Sequence, residues 1–169
     1  MQTKQKKQKV HSLTGRIDFQ LMKQSFKAVK PNRVAAGIDP ACGISVKMFE
    51  ANLEDNLLAL MRDLKNGMFQ SKPLRRTYIP KDPRKTQFRP LGIPVVRDRV
   101  GQEVLRRLLN PIFEPKFHKS SFGFISGRNG HMAIEQLLEF HNSEGLQVVL
   151  DADVCGFFDN PAKRDTTSL

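Results

Sequence analysis

The sequence is poor in cysteine and contains no long hydrophobic run. Its two cysteines, Cys42 and Cys155, are far apart and form no CxxC pair, which argues against a zinc framework or a disulfide scaffold. No stretch approaches the roughly 18 consecutive apolar residues of a membrane span. The basic residues at the N-terminus are not followed by the apolar core of a signal peptide. We therefore expect a cytoplasmic protein that makes no contact with a membrane.

Acidic residues are scarce relative to basic ones. The 169 residues include 28 lysines and arginines and 17 aspartates and glutamates, which gives a formal net charge of +11. The excess lies in two blocks: residues 1–33 carry nine basic side chains and one acidic one, and residues 70–107 carry eleven basic and three acidic ones. Such concentrated charge is typical of proteins that bind nucleic acid. The alternative is a charged surface that serves only solubility.

The spacing of hydrophobic residues predicts a mixture of helices and short strands. Apolar residues recur at helical intervals in four segments: 17–28, 52–66, 100–112 and 131–142. Three other segments are predicted to be strands: 75–80 and 88–94, joined as a hairpin, and the almost wholly apolar 146–150, as a buried strand. In the last helix we expect Ile134, Leu137 and Leu138 to face inward.

Carboxylates are concentrated in the segment VVLDADVCGFFDN, residues 148–160. Asp151, Asp153 and Asp159 follow the predicted buried strand, and carboxylate oxygens together with substrate phosphates are ligands that suit Mg²⁺. Alternation along a strand puts Asp151 and Asp153 on one face, where they repel each other unless one turns away or a cation lies between them. The alternative is that these residues merely cap a strand end and start a turn.

Four motifs occur in a fixed order along the chain: IPK at 79–81, FRPLGIPVVRDRVGQEVL at 88–105, SFGF at 121–124 with Gly127, Arg128 and His131, and VVLDADVCGFFDN at 148–160. Together they resemble the reverse transcriptases encoded by group II introns, which also act as maturases. The resemblance runs from about residue 37 to residue 160. It implies an α+β fold, with the fingers of a right-hand polymerase and an incomplete palm. Phe122 and Phe124 are expected to pack in the core of that fold.

The resemblance assigns roles to individual residues. Asp153 matches the first catalytic aspartate, which together with the backbone carbonyl of Val154 would hold Mg²⁺. Phe158 would lie under the sugar of the incoming nucleotide and exclude a ribonucleotide 2′-hydroxyl. Lys81 and Arg89 match cations that bind the triphosphate, and fixed positive charge suits phosphate oxygens. For Lys81 and Arg89 the alternative is an ordinary exposed residue.

The implied partners are intron RNA, a primer–template nucleic acid and deoxynucleoside triphosphates. The candidate RNA-binding cations lie in the two basic blocks: Lys4, Lys6, Lys7, Lys9, Arg75, Arg76 and Arg99. Asp98, near the start of a helix, is expected to be structural, because a carboxylate is favourable at a helix N-terminus.

The sequence departs from the family pattern in several places. Ile125 and Ser126 occupy the position of a usual Arg-Pro pair, and Gly101 occupies a helical position where a larger apolar residue is usual. No [YF]xDD motif is present, and two-metal phosphoryl transfer needs carboxylates from separate strands. We therefore expect an incomplete Mg²⁺ site in a truncated chain. Its expected divisions are a basic arm with few apolar residues (1–36), the fingers with the first palm strand (37–160) and an unrelated tail (161–169).

Three functions are compatible with these features. The first is an RNA-directed DNA polymerase by descent, which is inactive unless the missing part is supplied. The second is a non-catalytic remnant that binds intron RNA through its basic residues. The third is a non-functional fragment, in which a palm strand without neighbours leaves an unpaired apolar edge.

Overall fold

A computed structural model describes residues 12–31, 45–84 and 86–154. It divides them into two compact units, the first ending at Lys116 and the second beginning at Phe117. Helices and strands both occur, so the predicted α+β character is confirmed. None of the helices in these ranges is both long and apolar enough to cross a membrane.

The described part of the first unit consists of helices and one two-stranded sheet. In chain order its elements are α1 (Phe19–Val29), α2 (Val46–Ala51), α3 (Leu53–Lys65), β1 (Arg75–Pro80), β2 (Phe88–Ile93) and α4 (Val96–Phe113), with single 3₁₀ turns at Thr14–Arg16 and Glu114–Lys116. The Asp18 carboxylate accepts a hydrogen bond from the Leu21 N–H, and the Ser45 hydroxyl accepts one from the Met48 N–H. These bonds satisfy N–H groups that lack a helical partner, and so they fix where α1 and α2 begin.

Helix α4 lies at the centre of the core of the first unit. Its buried apolar residues recur every four positions, at Val96, Val100, Val104 and Leu108. They belong to one cluster with buried side chains of the other helices: Met22, Phe26, Val29, Val46, Phe49, Leu57 and Leu60. The rings of Phe26 and Phe49 are stacked, with their centroids 5.6 Å apart. This cluster joins α1, α2, α3 and α4 into one core.

Helix α1 is part of this core. Met22 and Phe26 are almost fully buried, and Lys30, which follows the helix, forms an ion pair with Glu50 of α2. We expected residues 1–36 to form an arm with few apolar residues in the core, and this does not hold for α1. The apolar spacing within 17–28 was predicted from the sequence, but the burial of Met22 and Phe26 comes from packing in the core that α4 shares. The boundaries of the predicted domains otherwise stay predictions.

The second unit contains a loop and helix α5 (Gly130–Glu144). The guanidinium of Arg128 organises the loop, because its Nη1 donates to the carbonyls of His118 (2.8 Å), Lys119 (3.1 Å) and Ser121 (2.6 Å). Gly127 has a φ of 74°, in the region that favours glycine. The Asn129 side chain then caps α5 by accepting from the N–H of Met132.

Several predictions of burial fail in the second unit. Phe124 is fully exposed, with a φ of 58°, and Ile134, Leu137 and Leu138 on α5 are each more than half exposed. The predicted strand 146–150 is wrong: these residues lie outside any helix or strand and are exposed. A strand needs a neighbour for its backbone hydrogen bonds. In the described ranges the only sheet is β1 paired with β2, in the other unit.

The packing of α1 leads to a stability prediction. Replacing Phe26 by alanine should lower the free energy of unfolding by about 3–5 kcal/mol, because it removes a stacked ring and leaves a cavity. Urea unfolding followed by circular dichroism measures this. The matched control is Phe117→Ala, since Phe117 is half exposed. A loss below about 1 kcal/mol for Phe26→Ala would mean that α1 contributes little to the core.

Candidate nucleic-acid interface

The hairpin formed by β1 and β2 carries a group of exposed basic residues. The strands pair antiparallel from Arg75 opposite Ile93 to Pro80 opposite Phe88. Lys81 extends the ladder by one residue, because its N–H donates to the carbonyl of Gln87 at 2.8 Å. The predicted strands 75–80 and 88–94 and their hairpin connection are confirmed.

Asp82 closes the hairpin loop. Its carboxylate accepts from the Thr86 hydroxyl at 2.6 Å, from the Thr86 N–H at 3.0 Å and from the Gln87 N–H at 3.2 Å. These bonds, above all the one from the Thr86 hydroxyl, hold the pKa of Asp82 below its ordinary value. Asp82 is the acidic residue of the hairpin, and both of its carboxylate oxygens accept hydrogen bonds within the loop.

The hairpin exposes five cations: Arg75, Arg76, Lys81, Arg84 and Arg89. Within the described residues, no carboxylate lies at ion-pair distance from any of them. The positive potential of the hairpin is therefore available to an anionic partner.

The cations of α4 from the same basic block are placed differently. Glu103 pairs with both Arg106 (2.7 Å) and Arg107 (2.8 Å). The hydrogen bond from Arg106 is the main reason why the pKa of Glu103 is lowered. The charges of Arg106 and Arg107 are thus neutralised by an ion pair within the protein, whereas the charges of the hairpin cations are not.

Lys81 and Arg89 share one face of the hairpin. Arg89 lies opposite Ile79, and residues directly opposite each other in an antiparallel pair point to the same side. Lys81 is two residues beyond Ile79 and so lies on that side as well. The two cations are diagonal neighbours, with about 7–8 Å between their Cα atoms. A phosphate chain can therefore contact both.

The connection between α3 and β1 is tied to α4 by two neighbouring residues. The buried carboxylate of Asp98 accepts from the N–H of Lys72 at 2.7 Å. Arg97 forms an ion pair with Asp63 of α3 at 2.7 Å and donates to the carbonyl of Gln70 at 3.2 Å. Asp98 thus has the predicted structural role, although its bond holds the approach to the hairpin rather than its own helix.

Gly101 has a packing role at this junction. A Cβ atom at this position would lie 3.4 Å from two atoms of the Phe69 ring, at the limit of ordinary contact. The centroid of the same ring lies 4.8 Å from the Arg97 guanidinium, in a cation–π contact. The Phe69 ring therefore packs against α4 at Gly101, where a Cβ atom would just fit, and the ring in turn supports Arg97.

The other predicted binding residues have different surroundings. Arg99 is half-buried on α4, unlike the exposed Arg75 and Arg76 of the hairpin. Five of the predicted residues lie outside the described ranges: Lys4, Lys6, Lys7, Lys9 and Phe158. For all these residues the proposed contacts with RNA or nucleotide stay predictions.

Asp153 and Val154 lie in the second unit, in the exposed irregular segment that follows residue 150. Among the residues that the structure describes, no group of three or more histidine, cysteine, aspartate or glutamate side chains is placed to hold a metal ion. The described residues alone therefore do not form a magnesium site. The assignment of Asp153 and Val154 to a metal stays a prediction.

Two functional contributions were missed from the sequence. Asp82 shapes the hairpin loop, and its signal is the pairing of an aspartate with a threonine four residues later, which favours local side-chain to backbone bonds. Arg128 shapes the SFGF loop by binding three carbonyls, and no local sequence pattern distinguishes it from a phosphate-binding arginine.

The chain is similar in sequence to several known proteins. The chain is 38% identical to protein YkfC of Escherichia coli strain K12 over 132 residues. This aligned region covers 76% of this chain and 33% of YkfC. It is 36% identical over 107 residues to the group II intron-encoded protein LtrA of Lactococcus lactis subsp. cremoris, covering 63% of this chain and 17% of LtrA. It is also 31% identical over 130 residues to nuclear intron maturase 2, mitochondrial, of Arabidopsis thaliana, covering 66% and 18% respectively.

These matches cover much of this chain but little of each relative. The chain spans about a third of YkfC and less than a fifth of the other two relatives. No protein-family model matches the sequence.

The hydrogen bonds of Asp82 lead to a prediction about pH. Because its pKa is lowered in the folded hairpin, the stabilisation of the loop is fully present above the ordinary aspartate pKa of about 3.9 and is lost as the pH falls through the lowered value. NMR titration of the Thr86 and Gln87 amides should show a midpoint below that ordinary value. Thr86→Val removes the hydroxyl donor and should move the midpoint upward. An equal midpoint in both proteins would contradict the role of the hydroxyl.

Proposed function

Because this chain belongs to the family of group II intron-encoded reverse transcriptases and maturases, we propose that its first unit is the fingers region of a right-hand polymerase. In this proposal the β1–β2 hairpin binds nucleic acid, and the helices that pack around α4 hold it in place. The partners are intron RNA and a primer–template nucleic acid. Charged residues and aromatic residues on one exposed hairpin are typical of such surfaces.

One observation carries the proposal. The hairpin exposes five cations without a carboxylate partner among the described residues, while Arg97, Arg106 and Arg107 of α4 are ion-paired. Contacts between such cations and phosphates release counterions, so they contribute affinity that depends on salt.

Lys81 and Arg89 are proposed to bind the triphosphate of a deoxynucleoside triphosphate. Their shared face and their diagonal spacing support a joint contact with neighbouring phosphate groups. Arginine can form two parallel hydrogen bonds to phosphate oxygens, and lysine adds a compact point charge. Both side chains are exposed, so neither has to be freed from a packed position before it can bind.

RNA-directed DNA synthesis is the reaction that the family assignment suggests. In this proposal Asp153 and the carbonyl of Val154 would hold Mg²⁺ in the polymerase, and Phe158 would select the deoxyribose sugar. The described residues do not form a magnesium site by themselves. The proposal therefore concerns the binding of RNA and triphosphate by this chain and includes no catalytic step.

The second candidate is intron-RNA binding without catalysis. It uses the same hairpin and is supported by the same exposed cations. The two functions differ in their need for Lys81 and Arg89: RNA binding alone does not require triphosphate recognition. Measuring RNA affinity and triphosphate affinity separately therefore distinguishes them.

The first test concerns RNA. Replacing both Arg75 and Arg76 by alanine should weaken binding of single-stranded RNA and lower the slope of log affinity against log salt by about 0.7 for each phosphate that is no longer neutralised. Fluorescence anisotropy at several salt concentrations measures both quantities. Arg62→Ala is the matched control, because Arg62 is exposed on α3. Equal slopes for the double variant and the control would contradict a role of the hairpin in phosphate binding.

The second test concerns the nucleotide. Lys81→Ala and Arg89→Ala should each lower the affinity for a deoxynucleoside triphosphate by about 10- to 150-fold, since a hydrogen bond to a charged group contributes about 1.5–3 kcal/mol. Isothermal titration calorimetry gives the affinities. Arg89→Lys should restore only part of the loss, because it keeps the charge without the paired donors. The control is Lys65→Ala, at an exposed position on α3, and a loss as large in this control would point to general electrostatics.

A further inference from the structure

The hairpin has a second face, opposite to the one that carries the triphosphate-binding cations. Tyr78 lies opposite Pro90, and Phe88 lies opposite Pro80, so these four side chains point to the same side. Tyr78 is 60% exposed and Phe88 is 52% exposed. The two rings are diagonal neighbours across the strands, a spacing that aromatic side chains can bridge.

The composition of this face is unusual for a solvent-exposed surface. Arg76 is the one charged residue on it within the paired strands, and the remaining positions are aromatic, proline or glycine. A single exposed apolar residue is common on protein surfaces, but neighbouring exposed aromatic rings beside a cation indicate a binding surface. The hairpin as a whole carries positive charge, so the partner that complements it is an anion.

A partner that is anionic and also presents flat apolar surfaces is an unpaired nucleic-acid strand. Resting on the proposed function, we propose that Tyr78 and Phe88 form a stacking surface for the unpaired bases of bound RNA. In this arrangement Arg76 contacts the phosphate beside the stacked bases. Every base has a π-face, so such a surface binds single strands with little dependence on sequence. In a duplex the bases are already stacked on each other and are not available to the rings.

The two faces of the hairpin then recognise different parts of the ligands. Lys81 and Arg89 on one face contact phosphate groups, while Tyr78 and Phe88 on the other contact bases. Substitution of the rings should therefore change affinity without changing its salt dependence. Substitution of the cations should change both.

The composition of the chain allows a direct test in the unmodified protein. Tyr78 is its single tyrosine, and tryptophan is absent, so the intrinsic fluorescence of the whole chain reports on this one ring. The protein is titrated with a single-stranded RNA of about 12 nucleotides, within the range bound by single-strand binding modules. A strand of the same length without bases and a blunt RNA duplex are titrated in parallel. We expect only the base-bearing single strand to quench Tyr78.

Substitutions test the same surface by affinity. Tyr78→Ala and Phe88→Ala should each weaken binding of the base-bearing strand by about 5- to 150-fold, which corresponds to 1–3 kcal/mol per stacked base. Both should leave the salt slope and the affinity for the base-free strand unchanged. Phe88→Tyr keeps a ring and should retain affinity. Leu91→Ala is the matched control, because Leu91 is 42% exposed on the other face of the same hairpin.

The outcomes separate this inference from the proposed function. If the single strand binds with a salt-dependent affinity but Tyr78 is not quenched and the ring variants bind normally, stacking is wrong and phosphate binding by the hairpin stands. If instead the duplex quenches Tyr78 as strongly as the single strand does, the proposed recognition of unpaired bases is wrong. If wild-type protein binds no RNA even at low salt, both proposals fail.

Discussion

The buried carboxylate of Asp98 is the contact on which the position of the hairpin depends. It is 1% exposed and accepts a hydrogen bond from the backbone N–H of Lys72, three residues before β1. A carboxylate removed from water is costly unless it is hydrogen-bonded or paired, and here Arg97 lies 3.5 Å away as a second partner. The energetic need to satisfy this one group therefore determines where the chain between α3 and β1 must pass.

Arg97 extends that constraint to α3. Its guanidinium contacts Asp63, the carbonyl of Gln70 and the ring of Phe69, so one side chain links α4, α3 and the connecting segment. Gly101 lies against the ring beneath the guanidinium, where an added Cβ atom would be at contact distance from it. Glycine costs about 1 kcal/mol relative to alanine inside a helix. Because a Cβ atom would fit at its contact limit, the packing of Phe69 alone does not require glycine here.

Elements that depend on interactions between residues close in the sequence could be predicted, and elements that depend on distant residues could not. Helix α3 and the hairpin depend on local spacing and turn residues, and both were predicted correctly. The strand at 146–150 depends on a neighbouring strand, so its apolar composition alone led to a wrong prediction. The contribution of helix α1 to the core was underestimated because residues 1–33 were judged by their nine basic side chains, while Met22 and Phe26 are buried through tertiary packing.

In the candidate site, too, local features could be predicted and features that depend on tertiary structure could not. Lys81 and Arg89 were identified from motifs, and the strand register then placed them on one face. Their shared face depends on the register between the two strands, and the hydrogen bonds from Thr86 to Asp82 depend on the conformation of the loop. Half-burial of Arg99 depends on how α4 packs, and no spacing rule within the sequence distinguishes it from the hairpin arginines.

The prolines of the hairpin have a consequence for how it behaves in a crowded solution. Both strands of a two-stranded sheet are edge strands, and an exposed edge invites another chain to add a strand. Pro80 and Pro90 lack the N–H groups that such an added strand would need, one proline on each strand. The hairpin is thereby protected against edge-to-edge aggregation. Tyr78 and Phe88 thus stay exposed on a hairpin in which each outer edge is interrupted by a proline.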